Sequence, residues 1–219
     1  MNWDCFRVHQ DQKRGRGLKQ NEMDFSNWLL KDTVVSARGA KSCQVRTADN
    51  GAKVTLTIGT PQDPVTSPFG ATSFNEGETT RKTLELNLTA EQEKQWLDFD
   101  DWAVPYLAKH SYRLFKKILT EEQVLENYRS PVTKKGDYRA HLRCKINTEG
   151  AHIVRCWDMA RERVALPEDL RETEMTAKVQ LSHLWQMSKE YGFVFQVTDL
   201  QLRSSATECP FEDGAFGGA

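Results

Sequence analysis

The strongest alternation of apolar and polar positions in the chain lies between residues 138 and 157. Arg139, His141, Arg143 and Lys145 alternate with Ala140, Leu142, Cys144 and Ile146. Successive side chains of a β-strand point to opposite faces, so this run predicts a strand with one basic face and one face packed in a core. After the turn Asn147-Thr148-Glu149-Gly150, Arg155 and Trp157 share one face while Val154 and Cys156 occupy the other. The two runs predict adjacent strands that bring cationic and aromatic side chains together, as nucleic-acid-binding sheets do.

The same period of two recurs elsewhere. Leu84, Leu86 and Leu88 alternate with Thr83, Glu85 and Asn87, and Val54, Leu56 and Ile58 with Thr55 and Thr57. Asn50-Gly51 is a hairpin signal and predicts pairing of residues 44–47 with 53–58. Residues 175–185 predict a long strand with Ala177, Val179 and Leu181 inward and Lys178, Gln180 and Ser182 outward. A turn at Tyr191-Gly192 and a returning strand over 193–202 follow. Between prolines 61, 64 and 68 no regular element can form, which predicts an ordered extended loop or a linker.

Helical signals are confined to the middle. Thr89-x-x-Gln92 and Thr120-x-x-Gln123 are capping boxes. The first opens a helix with Trp96, Phe99, Ala103 and Tyr106 at helical spacing, which Pro105 should kink or end. The second opens a short helix to about Tyr128. The chain thus divides into a mobile basic arm (1–30), a mainly β domain with inserted helices (31–205, insertion about 89–130) and a flexible acidic, aromatic tail (206–219). Many short strands with turn signals between them suggest a barrel or a sandwich.

Charge refines this picture. The 219 residues carry a formal net charge of −1, so binding to nucleic acid has to come from segregated rather than bulk charge. Segregation is present: Lys13, Arg14 and Arg16 near the start, and eight Lys or Arg residues against four acids over 134–163. The terminal run reads as a solvated tail or as an arm touching phosphates. No apolar run approaches the ~20 residues of a membrane span, and the start lacks an apolar signal core. Five cysteines without paired spacing read as reduced thiols of an intracellular protein.

Catalytic motifs are absent: no G-x-S-x-G, Walker-type loop or H-E-x-x-H. The carboxylates at Asp98, Asp100, Asp101, Glu121 and Glu122 read as solvated or dipole-favoured side chains. His141 with Cys144 and His152 with Cys156 could suggest zinc, but positions three apart in a strand face opposite ways, so no metal and no cofactor are expected. The basic and aromatic residues remain. Lys116, Lys117, Lys134, Lys135, Arg139, Arg143, Lys145, Arg155 and Lys178 could track a phosphate backbone, and Tyr112, Tyr138, Trp157 and Phe195 could offer ring faces to unstacked bases. The competing reading is a solvated sheet face with Trp157 in the core.

The order of elements carries a resemblance. A strand over 81–88 leads to a helical insertion, then two central strands, a loop with Leu166-Pro167, a long strand pair and an acidic, aromatic tail. This resembles the T7-type single-stranded DNA-binding proteins, including the divergent versions carried by large DNA viruses of eukaryotes, which Ser67-Pro68-Phe69-Gly70 also resembles. The resemblance implies a five-stranded OB-fold barrel with an inserted helix, binding single strands in a basic, aromatic groove, so the chain is expected to be an OB-fold-like barrel with an N-terminal extension of about 65 residues that has no counterpart in the family. It also implies a tail contacting replication proteins, for which Glu212, Asp213 and Phe216 are the matching positions. Gly217-Gly218-Ala219 after the phenylalanine departs from that pattern.

The expectation is a non-enzymatic single-stranded DNA-binding protein serving replication, recombination or repair without strong sequence preference, in the nucleus or at a viral replication site. Its site is expected at Lys116, Lys117, Lys134, Lys135, Tyr138, Arg139, Arg143, Lys145, Arg155 and Trp157. RNA is the other candidate ligand, and an exposed strand edge can pair with a second copy. The alternative is a β-rich structural or protein-interaction subunit that binds no nucleic acid.

Overall fold

The computed structural model describes residues 23–37, 39–73 and 80–203. The basic patch at 13–17 and the tail positions Glu212, Asp213 and Phe216 lie outside the described residues. A 3-10 turn (Phe25–Asn27) leads into β1 (Trp28–Leu30), β2 (Val34–Val35), β3 (Lys41–Thr47), β4 (Thr55–Ile58), β5 (Ala71–Thr72) and β6 (Arg81–Asn87). Three helices follow: α1 (Ala90–Lys109), α2 (Ser111–Phe115) and α3 (Glu121–Asn127). The chain then forms β7 (Tyr128–Arg129), β8 (Val132–Thr133), β9 (His141–Asn147), β10 (Arg155–Trp157), β11 (Arg163–Val164), β12 (Met175–Met187) and β13 (Glu190–Leu202). The protein is mainly β with few helices, and the sheet begins at Trp28.

The spine is the antiparallel pair β12–β13, paired from Met175–Leu202 to Met187–Glu190. Around it the sheet runs β1-β3-β12-β13-β9-β6-β5. Among the described residues no ladder joins β5 to β1, so the path is open. One edge of β12 takes β3 beside residues 183–186 and β4 beside 177–180. The expected hairpin between 44–47 and 53–58 is therefore not formed. The two segments lie end to end along the longer β12, which offers each a full ladder. The opposite edge of β13 takes β7, β9 and β10 in succession, all parallel to it. Strands β9 and β10 do not pair with each other, contrary to the expectation of adjacent strands.

The turn joining β12 to β13 is Ser188-Lys189, with Ser188 at φ 56°, and Tyr191-Gly192 lie within β13. Gly192 serves close approach rather than turning: a Cβ there would sit 2.6 Å from the Arg129 carbonyl oxygen. The proline loop is ordered. Val65 and Met175 exchange backbone hydrogen bonds at 2.9 and 2.8 Å, and Asn87 N–H donates to the Thr66 carbonyl at 2.8 Å.

The inward residues form one core. Leu84, Leu86, Leu142, Cys144, Ile146 and Phe195 are fully buried. Helix α1 closes over them: Trp96 meets Phe195 edge-on at 4.8 Å and Phe99 meets Phe193 at 5.2 Å. Both capping boxes form, at Thr89/Gln92 and Thr120/Gln123. Pro105 does not end α1. The helix continues to Lys109 because its last turns are held by packing, with Ala103 and Leu107 fully buried and the Leu30 N–H donating to the Tyr106 hydroxyl at 3.3 Å.

Asp100 fastens α1 to the sheet by accepting from the Tyr128 and Ser130 hydroxyls, each at 2.6 Å. Burial, outweighing those two hydrogen bonds, raises its carboxyl pKa, and neighbouring Asp101 adds to the rise. A carboxyl whose pKa is raised on folding stabilises the fold most when protonated. The stability difference between wild type and Asp100→Asn should therefore shrink as pH rises from about 4, read from urea midpoints across a pH series. A pH-independent difference would remove Asp100 from the pH response.

Candidate nucleic-acid interface

The antiparallel register of β6 and β9 sets Asn87 opposite His141, Glu85 opposite Arg143, Thr83 opposite Lys145 and Arg81 opposite Asn147. All eight point away from the core, because the intervening leucines, Cys144 and Ile146 fill it. Glu85 accepts the Arg143 guanidinium at 3.4 Å and lies 3.7 Å from the His141 ring. Lys145 donates to the Thr83 hydroxyl at 2.9 Å. Across the sheet the same row continues through Gln196, Gln180 and Thr55, a band of side chains able both to donate and to accept.

Two loops add rings at the start of β9. The pinned proline loop holds Phe69 56% exposed, with its ring 6.0 Å from that of His141. Tyr138, 77% exposed, stands just before β9, with exposed Arg139 beside it. Lys134 is drawn to Glu93 at 2.7 Å. Thr66, Asn87, Lys134, Tyr138 and Arg139 line one cleft of about 480 Å³.

The other expected residues fall elsewhere. Arg155 and Trp157 both hold Asp199: Arg155 by a two-pronged pair at 2.8 and 2.9 Å, the Trp157 indole N–H at 3.1 Å. Burial works to raise the Asp199 pKa. The hydrogen bonds from Arg155, Trp157 and Thr198 outweigh it and leave the carboxyl below its ordinary value. Arg155 is thus largely neutralised and Trp157 is tethered by its edge. This pair lies on the outside of the sheet with Arg143 and Lys145, but beside residues 199–201 of β13 rather than 195–196.

Lys116 and Lys117 are exposed just after α2, which docks through Phe115 stacked on Tyr191 at 4.7 Å. From Tyr191 to Asp199 is roughly 26 Å along β13, so these lysines are not gathered with Arg155. Tyr112 is exposed on α2. Phe195 cannot stack on a base: it is fully buried against Trp96. Lys135 is exposed in the loop before Tyr138. Cys144 and Cys156 are buried, and burial raises both thiols, Cys156 to about 11. Among the described residues no three His, Cys, Asp or Glu side chains converge as a metal site would require.

Phe69, His141, Arg81 and His183 are the additions. His183 faces out between Gln44 and Val194, its Nδ1 3.0 Å from the Ser182 hydroxyl. Burial, and then the Arg81 cation, lower its pKa, so the ring is neutral at pH 7. Simple alternation from Leu181 would have turned His183 inward. A register shift between Leu181 and His183 reverses the parity, as a β-bulge does.

No protein-family model and no curated protein matches the chain. Among solved structures it is similar to the single-stranded DNA-binding protein from bacteriophage Enc34 in a C-terminal truncation, with TM-score 0.45 and 8% identity over 78% of this chain and 95% of that one. It is also similar to the single-stranded DNA-binding protein from bacteriophage Enc34 in complex with ssDNA, with TM-score 0.43 and 10% identity over 92% of this chain and 100% of that one. At such values, what this chain binds has to be argued from its own side chains.

Proposed function

We propose that the chain binds single-stranded nucleic acid, DNA foremost, on the outer face of β6 and β9, without catalysis and without strong sequence preference. One observation carries this reading: the exposed Phe69 ring stands beside His141 on the β6–β9 face, and exposed Tyr138 and Arg139 line a cleft with Asn87 of that same face. Base–aromatic stacking contributes about 1–3 kcal/mol per base and tolerates any sequence, because every base has a π-face. A duplex keeps its base faces stacked inside, so rings of this kind favour a single strand. The fold is read as a divergent OB type, which the T7-like element order supports. The C-terminal tail is proposed as the contact for replication proteins.

The ion pairs add a quantitative consequence. Arg143 is already partnered by Glu85, Lys134 by Glu93 and Arg155 by Asp199, so few cations can neutralise phosphates outright. Each phosphate neutralised on a single strand contributes about −0.7 to the slope of log K against log salt. Two to four contacts predict a slope of roughly −1.5 to −3. A polarisation titration of labelled oligothymidylate across a salt series measures it, with matched RNA and duplex competitors. Absence of binding at low salt, or duplex binding as tight as single strand, overturns the reading.

A further inference from the structure

Trp185 lies on the outer sheet face, although alternation from Ala177, Val179 and Leu181 would bury it. The register shift after Leu181 turns Leu184 into the core, 1% exposed, and leaves Trp185 half-buried on the outside. Its neighbours across the ladders are Ser42 on β3 and Gly192 on β13, and Arg129 on β7 is paired with Gly192. A Cβ on Gly192 would come within 3.1 Å of the Trp185 Nε1 and 3.3 Å of its Cε2. The indole therefore leans over bare backbone, in the space a side chain would fill, and stays partly exposed.

Trp185 also differs from the other described tryptophans in having neither a ring partner nor a hydrogen-bond partner. Trp28, Trp96 and Trp102 sit in one aromatic cluster around Phe99, and Trp157 is tied to Asp199. Trp185 has no aromatic partner and no hydrogen-bond acceptor for its N–H among the described residues, and since no buried side-chain polar atom there is left without a partner, that N–H is open to solvent. Across the ladders Ser42 stands on one side of it and, beyond Gly192, the exposed Arg129, paired with Glu190, on the other.

We propose that Trp185 is a second base-stacking platform, so that one single strand runs from the Phe69–Tyr138 cluster across β9 and β13 to Trp185. This rests on the reading of the β6–β9 face as a single-strand site. Two strand spacings and four residues along β13 separate Trp185 from Lys145, roughly 16 Å, while from the cluster at His141 the strand also crosses β8, which pairs β9 there, and β7, which pairs β13 beside Gly192. A strand of the ~4–16 nucleotides that one OB-type site accommodates can cover it.

The test compares wild type, Trp185→Ala and Trp185→Phe with labelled oligothymidylates graded over ~4–16 nucleotides. Phe69→Ala/Tyr138→Ala serves as reference, and urea midpoints check folding. Trp185→Ala should weaken the longest ligand ~10-fold or more and leave the shortest unchanged, while Trp185→Phe retains most of the affinity. If Trp185→Ala and Trp185→Phe bind every length as wild type does while the reference variant loses affinity, the second platform is wrong and the first site stands. Equal losses at every length would also overturn it, since Trp185 would then act on the first site. Wild type failing to bind any length refutes the underlying reading itself.

Discussion

Replacing Phe69 and Tyr138 together by alanine is expected to lower affinity for a short oligothymidylate by at least about 30-fold, from two lost stacking contacts of ~1–3 kcal/mol each. Both side chains are mostly exposed, at 56% and 77%, so the urea midpoint should stay close to wild type. The loss should also be nearly independent of salt, because no phosphate contact is removed. That separates the rings from the cations around them. A variant that binds as tightly as wild type would place the strand elsewhere on the surface, with the Arg155–Trp157 cluster the next candidate.

Phe195→Ala should have the opposite profile. Phe195 is fully buried between Trp96 at 4.8 Å and Phe99 at 5.7 Å. Truncating a buried phenylalanine costs about 3–5 kcal/mol, from lost burial and the cavity left behind. Against a typical total of ~5–15 kcal/mol, that is enough to threaten folding at room temperature. The urea midpoint should fall sharply, while the protein that remains folded binds oligonucleotide normally. A selective loss of affinity at unchanged stability would instead make Phe195 a ligand contact, as its aromatic character in a β-run first suggested.

Much of this site was readable from local pattern. The parity of 139–146 identified which side of β9 faces outward, and the two capping boxes located α1 and α3. Several ion pairs were not readable, since Glu85, Glu93 and Asp199 lie 41 to 58 positions from the cations they neutralise. Lys116 and Lys117 joined the expected site on charge alone, and only the stacking of Phe115 on Tyr191 shows that they sit at the other end of the spine.

The amino-acid sequence by itself determined the local choices: which residues alternate, where helices start, and that the charge is segregated. These follow from side-chain period and capping chemistry, which act within a few residues. Tertiary structure alone decided which strands meet. The long β12–β13 pair offers two edges that capture β3 with β4 on one side and β7, β9 and β10 on the other, overriding the local hairpin signals. It also decided which way Trp185 faces, because one residue of register shift between packed strands inverts every side chain beyond it, and no local pattern records that shift.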